Sequence, residues 1–173
     1  MAKKFILKIL TAGEGGVGKT TLLHRYVEGR FSAETKMTIG VEFFLKETMI
    51  DTKQCTLQLW DFGGQERFRF LLKNYAKGAK GAILMFDLTR PKTLDTIDEW
   101  IDICRTEQPQ IPILLLGSKA DLAEMVILNE DFILELRKKY NLFDYMWVSS
   151  KSGENVNFAF ELLAKHIIEN KLF

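Results

Sequence analysis

The sequence predicts an α/β fold: a doubly wound, six-stranded, mostly parallel sheet with one antiparallel edge strand and helices on both faces. Three observations predict it. Apolar, strand-like runs alternate with helix-like segments along the chain. Two of those runs, Ala82-Ile83-Leu84-Met85-Phe86 and Ile113-Leu114-Leu115-Leu116, are nearly continuous hydrophobics, as strands buried on both faces are. A glycine-rich loop stands between the first run and the first helix, where a doubly wound sheet places its ligand. At 173 residues the expectation is one domain, 1–173, large enough for a real core.

Each element has a local reason. The strand runs are 5–12, 41–50, 56–60, 82–87, 111–117 and 145–149. The second and third are joined by Asp51-Thr52-Lys53-Gln54, a hairpin connection, so the edge strand is antiparallel. The first helix is expected over 20–28. Pro91 suits a first helical turn and opens a helix to about residue 107, with Pro109 and Pro112 at its exit. Asn129-Glu130-Asp131 supplies a cap and two acids at a helix start, with Phe132, Leu136 and Tyr140 on one face. Asn155 is placed to cap the last helix, whose stripe of Val156, Ala159, Phe160, Leu163 and Ile167 reads as core packing.

Composition excludes several classes. Apolar residues make up 47% and charged residues 27%, as in a water-soluble globular protein. With 24 basic and 23 acidic residues, the net charge of +1 gives no field to attract a nucleic-acid polymer or an anionic membrane. Cys55 and Cys104 fit no metal or redox spacing and read as buried, reduced thiols of a cytosolic protein. No apolar run approaches a membrane span, and Lys8 interrupts the basic-then-apolar start that would make a signal peptide. Ala2 excludes N-myristoylation, and Asn170-Lys171-Leu172-Phe173 has no cysteine to prenylate. The expectation is a cytoplasmic protein, with peripheral membrane association only through a lipidated tail removed from this sequence or a recruiting partner.

The chemistry is concentrated in a few loops. Gly13-Glu14-Gly15-Gly16-Val17-Gly18-Lys19-Thr20 fits G-x-x-x-x-G-K-[ST], between a strand and a helix as that motif requires. Its N–H groups and the helix N-terminus favour phosphate, Lys19 adds charge for the outer phosphates, and the Thr20 hydroxyl can ligate Mg²⁺. Asp61, at a strand end, can hold that ion through water; Gly64 can bring an N–H against a γ-phosphate; Gln65 can orient an attacking water. In Gly117-Ser118-Lys119-Ala120-Asp121, the Asp121 carboxylate can accept from guanine N1–H and its N2 amine, and it repels adenine, which offers an acceptor there. Phe31 is a core residue or an edge contact on a base, and Thr38 a plain strand-entry threonine or a second Mg²⁺ ligand. An ATP-using kinase or ATPase, against which Asp121 argues, and a non-hydrolysing binding module are the rival classes.

Taken together, Gly13 to Thr20, Thr38-Ile39-Gly40-Val41-Glu42-Phe43, Trp60 to Phe68, Tyr75-Ala76-Lys77-Gly78-Ala79, Lys119-Ala120-Asp121 and Ser149-Ser150-Lys151 resemble the small GTPases of the Ras superfamily, and most the Rab branch. The resemblance implies the small G-protein form of the P-loop NTPase fold. It implies a nucleotide site of Gly15, Gly16, Val17, Gly18, Lys19, Thr20, Thr21, Phe31, Thr38, Gly64, Ser118, Lys119, Asp121, Ser150 and Lys151. It implies Mg²⁺ on Thr20, Thr38 and Asp61, Gln65 as the catalytic residue, and switch regions over 31–40 and 62–74. Phe43, Trp60 and Tyr75 are either core packing or, with Ile39, effector contacts. The cofactors implied are GTP, GDP and Mg²⁺, and the partners a GTPase-activating protein, an exchange factor and effectors, in vesicle traffic. No arginine stands in an obvious place to act in cis. Two departures carry consequences. Ser118 stands where the family has Asn, so nucleotide should be held less tightly and exchange faster. Phe62-Gly63 replaces Thr-Ala, so a second glycine should loosen the second switch and alter where Gln65 points.

Overall fold

The computed structural model describes residues 3–33, 36–125 and 128–173. Ala2, read above for lipidation, and Glu34 and Thr35, within the first switch segment, lie outside the described residues.

Six strands form one sheet in the order β2-β3-β1-β4-β5-β6. They are β1 (Phe5–Gly13), β2 (Val41–Ile50), β3 (Lys53–Phe62), β4 (Gly81–Asp87), β5 (Ile113–Ser118) and β6 (Asp144–Trp147). β1 pairs in parallel with β3 and β4, β4 with β5, and β5 with β6. β2 runs antiparallel on β3, as the hairpin predicts. That hairpin is tighter than expected: Lys53 and Gln54 belong to β3, and the chain reverses at Asp51-Thr52, with Asp51 at φ 53°.

The continuous apolar runs are explained by cores on both faces of the sheet. Leu7, Ile9, Ile83, Met85, Leu114 and Leu116 point to one face, where α1 (Lys19–Glu28) and α5 (Val156–Glu169) cover them. Leu10, Ala12, Ala82, Leu84, Phe86, Ile113 and Leu115 point to the other, beneath α2 (Arg69–Tyr75), α3 (Ile97–Cys104) and α4 (Glu130–Lys139). Strand side chains alternate between faces, so two buried faces require an apolar residue at every position. The α5 stripe lies wholly in the core, and Phe160 stacks on Tyr26 of α1 with ring centres 3.9 Å apart. Cys55 and Cys104 are buried and free. Among the described residues no helix is long and apolar enough to cross a membrane.

Three local expectations are corrected. The 91–107 segment is not one helix: Pro91–Leu94 forms a 3₁₀ turn, the backbone departs from helix at Thr96, and α3 ends at Cys104. Asn129 caps α4, accepting the Asp131 N–H at 2.9 Å, but that helix buries Ile133 and Leu136 and leaves Phe132 exposed. Asn155 does not cap α5 through its side chain; its amide donates to the Trp147 carbonyl at 2.8 Å. The 62–74 segment is partly helical, because α2 begins within it and docks through Leu72.

The parallel strands end at Gly13, Asp61-Phe62, Asp87, Ser118 and Trp147, all on one edge of the sheet. β2 enters at that same edge, with Val41 opposite Phe62. Each loop singled out for chemistry therefore opens onto one rim.

Candidate functional site

At the centre of the rim the loop after β1 runs into α1, whose first turn carries Lys19, Thr20 and Thr21. Lys19 is buried, and its ammonium donates to the carbonyls of Gly13 at 2.6 Å and Glu14 at 2.7 Å. Burial lowers its pKa to about 8, against the pull of the Asp61 and Glu14 carboxylates, and nearby Arg69 lowers it further. A cation so poorly solvated, beside the free N–H groups of a helix start, favours a polyanion strongly. Gly15, Gly16, Gly18, Lys19, Thr20, Thr21, Thr38 and Gly64 line a cleft of about 170 Å³ here.

Three oxygens converge beneath Lys19. The Thr20 hydroxyl donates to Asp61 Oδ2 at 2.6 Å, the Thr38 hydroxyl lies 2.6 Å from that of Thr20, and Thr38 reaches Asp61 Oδ2 at 3.4 Å. Asp61 is fully buried and its Oδ1 has no hydrogen-bond partner. Burial pushes its pKa up to about 6, against the Thr20 bond and the Lys19 charge, which lower it. Two hydroxyls and a carboxylate with a spare oxygen make a donor set for a hard, oxygen-loving dication, to be completed by water and phosphate. Among the described residues no group of three His, Cys, Asp or Glu side chains offers another metal site.

The other end of the rim is a second cleft, of about 260 Å³, which shares Gly16, Gly18 and Thr21 with the first. Its walls bring together Val17, Phe31, Ser118, Lys119, Asp121, Ser150 and Lys151, all named from the sequence, and Leu122. The Asp121 carboxylate is held by the Ser149 hydroxyl at 2.8 Å, which leaves acceptor capacity for a ligand. Lys119 is anchored 2.7 Å from Asp87 Oδ2. The Ser118 hydroxyl lies 2.6 Å from the Val17 carbonyl and 2.9 Å from that of Phe86, so serine makes a tie to the phosphate loop.

The second switch closes the phosphate end. Gly64 packs so tightly on Gly15 that a Cβ would lie 2.2 Å from the Gly15 nitrogen. Gly63 makes a close contact with the first switch. Its N–H donates to the Gly40 carbonyl at 2.7 Å, and a Cβ there would meet the Thr38 carbonyl at 2.6 Å, so the missing side chain admits the first switch. Gln65 does not itself line the cleft: its amide nitrogen lies 2.8 Å from Sδ of Met37, which does line it, and its oxygen accepts from Arg67 at 3.1 Å. Outside the rim, Phe43, Trp60 and Tyr75 form a row with ring centres 5.1 and 6.0 Å apart, and Phe43, Tyr75 and Ile39 are exposed.

Sequence reasoning missed the residues that hold the named ones. Ser149 stood in a quoted motif without a role. Asp87 ends β4 like any strand-end acid, yet its carboxylate receives Lys119, Arg90 at 2.9 Å, and the Thr89 N–H and hydroxyl at 2.9 and 2.7 Å. Arg69 reaches Glu14 inside the phosphate loop at 2.6 Å, and Arg90 lies 3.5 Å from the Gly15 carbonyl, so two arginines brace that loop from elsewhere in the chain. Only the placement of an unpaired acid in the glycine-rich loop could have signalled Arg69.

Comparison with known proteins agrees with this geometry. The Ras family model matches residues 8–169. The Ypt/Rab-type GTPase ypt7 of Schizosaccharomyces pombe is 37% identical over 174 residues, which cover 97% of this chain and 85% of that protein. The Ras-related protein Rab-7a of Paramecium octaurelia is 38% identical over 94% of this chain and 82% of its own length. RABA1c of Arabidopsis thaliana is 36% identical over 96% of this chain and 79% of its own.

Proposed function

We propose that this chain, which belongs to the Ras family and to its Rab branch, is a guanine-nucleotide switch that binds GTP and GDP with Mg²⁺ and hydrolyses GTP slowly. The observation that carries the reading is the continuity of the rim. A buried lysine with the Thr20–Thr38–Asp61 oxygens stands at one end, and an oriented acceptor, Asp121, at the other. In this reading residues 1–173 act as one G domain. The loop from Gly15 to Thr21 wraps the phosphates, Phe31 lies along the base, Asp121 reads its N1–H and N2 amine, and Lys119, Ser118, Ser150 and Lys151 frame it.

Thr20 and Thr38 would ligate Mg²⁺ directly and Asp61 through water. When bound, the ion neutralises charge building on the β- and γ-phosphate oxygens. Water attacks the γ-phosphate in line. Gln65 orients that water once it leaves Met37 and Arg67, and Lys19 with the loop amides stabilises the transferring group. Thr38 and Gly64 meet the γ-phosphate, so residues 31–40 and 62–74 report which nucleotide is bound. Family membership implies an activating protein, an exchange factor and effectors, and the row of exposed Phe43, half-buried Trp60 and exposed Tyr75, with Ile39, is the surface we assign to effectors.

Single-turnover hydrolysis of GTP beside ATP, on the unaltered chain and on Gln65→Leu, tests the reading. Slow GTP turnover that falls by on the order of a hundredfold in Gln65→Leu, the lower end of what general acid–base groups contribute, is expected, with no ATP turnover. Equal turnover of ATP would overturn the base assignment, and normal turnover in Gln65→Leu the catalytic one.

A further inference from the structure

We propose that Arg69 is a positioning residue for hydrolysis: it ties the second switch to the phosphate loop through Glu14 and fixes the peptide that carries Gln65. The proposal rests on the switch reading above and deepens it.

One guanidinium spans three parts of the molecule. Nη2 donates to Glu14 Oε1 at 2.6 Å and lies 3.3 Å from the Gly64 carbonyl, and Nη1 donates to Glu99 Oε2 of α3 at 2.7 Å. The side chain is only 11% exposed, its guanidinium carbon sits 4.8 Å from the Trp100 ring centre, and its Nε is buried without a partner. Glu14 is gripped in turn. The same Oε1 accepts from the Thr96 hydroxyl and from Trp100 Nε1 at 3.2 Å, while its main-chain carbonyl takes the Lys19 ammonium at 2.7 Å.

The Gly64 carbonyl belongs to the peptide linking Gly64 to Gln65. Its orientation sets where Gln65 begins, and the close packing of Gly64 on Gly15 leaves that peptide little room to drift. The seating of α2 does not need this device. Leu72 buries α2 in the core, and the exposed Lys73–Asp102 pair already joins α2 to α3. What Arg69 adds is the link to the phosphate loop. A planar fork can serve Glu14, Gly64 and Glu99 together; a lysine ammonium, a point charge on a flexible stem, serves one well.

The test uses the full chain loaded with GTP and Mg²⁺. Arg69→Gln should slow single-turnover hydrolysis by on the order of ten- to a hundredfold, the scale of a misplaced reacting group, with GTP affinity unchanged. Arg69→Lys should recover part of the rate. Glu14→Gln, which keeps an acceptor for Thr96 and Trp100, should slow hydrolysis similarly, and the double variant should be little worse than either single one. Hydrogen exchange in GDP-bound protein should show protection lost over residues 64–68 in Arg69→Gln, with α2 beyond them unchanged. Unchanged hydrolysis in Arg69→Gln, or additive losses in the double variant, overturns the proposal. So does a parallel fall in rate, affinity and melting temperature, the mark of a merely structural pair. If the unaltered chain binds GTP without turnover, the hydrolytic reading fails by itself. Exchange then decides the clamp: lost protection upholds it, and unchanged protection overturns it.

Discussion

Lys19 and Lys119 stand at opposite ends of one groove and are held in opposite ways. Lys19 is 5% exposed and donates to two main-chain carbonyls, whereas the side chain of Lys119 is 38% exposed and answers to a single carboxylate, Asp87. Around Lys19 the partners are backbone and buried oxygens, which cannot move without unfolding the loop. Around Lys119 and Asp121 they are side chains, Asp87 at the end of β4 and Ser149 just beyond β6, the two strands that flank β5. The phosphate end is thus a desolvated field of fixed strength, and the base end a pattern of hydrogen bonds held by one contact each. Field strength makes affinity, and pattern makes discrimination.

The largest effect should come from breaking the field. Lys19→Met keeps the apolar stem and removes the charge. GDP affinity should fall about a thousandfold, the roughly 4 kcal/mol expected when one partner of a buried charge interaction is cut away. Titration with a fluorescent GDP analogue reads it directly. A fall of tenfold or less would mean that the loop amides, not the ammonium, carry the phosphate end, and the contrast between the two ends would collapse.

A smaller effect is expected from Asp87→Asn, which removes the anchor at the base end. Burial opposes ionisation of Asp87, but hydrogen bonds from Lys119, Thr89 and Arg90 outweigh it and hold the carboxyl at about 2. Its folded pKa lies below the ordinary 3.8, so its contribution is complete above that value and is lost as pH falls toward 2. Asp87→Asn should therefore cost about 2 kcal/mol at pH 7, the scale of hydrogen bonds to a charged group. Between pH 4 and 2, denaturant titration should show the unaltered chain losing stability more steeply than the variant. Equal slopes would show that Lys119 and Arg90 do not depend on this carboxylate.

What the sequence made legible follows the same division. The phosphate end is local: Gly13 to Thr20 is one unbroken stretch, and Thr38 and Asp61 sit beside strand ends that apolar patterning locates. The contacts that brace the site are not local. Arg69 meets Glu14 across 55 positions, and Ser149 meets Asp121 across 28, and neither pair has a spacing that secondary structure would impose. Asp87 and Lys119 come together because β4 and β5 are neighbours in register, with Asp87 opposite Ser118, which strand order alone reveals. Packing chose between readings of equal period on α4, where Ile133 took the core and Phe132 was left exposed. Local geometry also overrode Pro91: it does open a helical turn, but the turn stops at Leu94 and α3 starts afresh at Ile97.

The smallest effect tests whether the base end is under-built. The Ser118 hydroxyl has one proton and two carbonyl oxygens within reach, Val17 at 2.6 Å and Phe86 at 2.9 Å. Both are main-chain acceptors, so the proton is committed to the scaffold and none is left for a base. An asparagine carries two N–H donors and a carbonyl oxygen. One donor can keep the Val17 carbonyl while the rest of the amide faces the cleft that Ser118 already lines. Ser118→Asn should slow GDP release about fivefold, the effect of one added hydrogen bond of about 1 kcal/mol. Stopped-flow release of a labelled GDP measures it. An unchanged rate would show that Asp121 and its neighbours already saturate the base. A faster rate would show that the 3%-exposed position has no room for the amide, and that serine is here because the contact with the phosphate loop matters more than contact with the nucleotide.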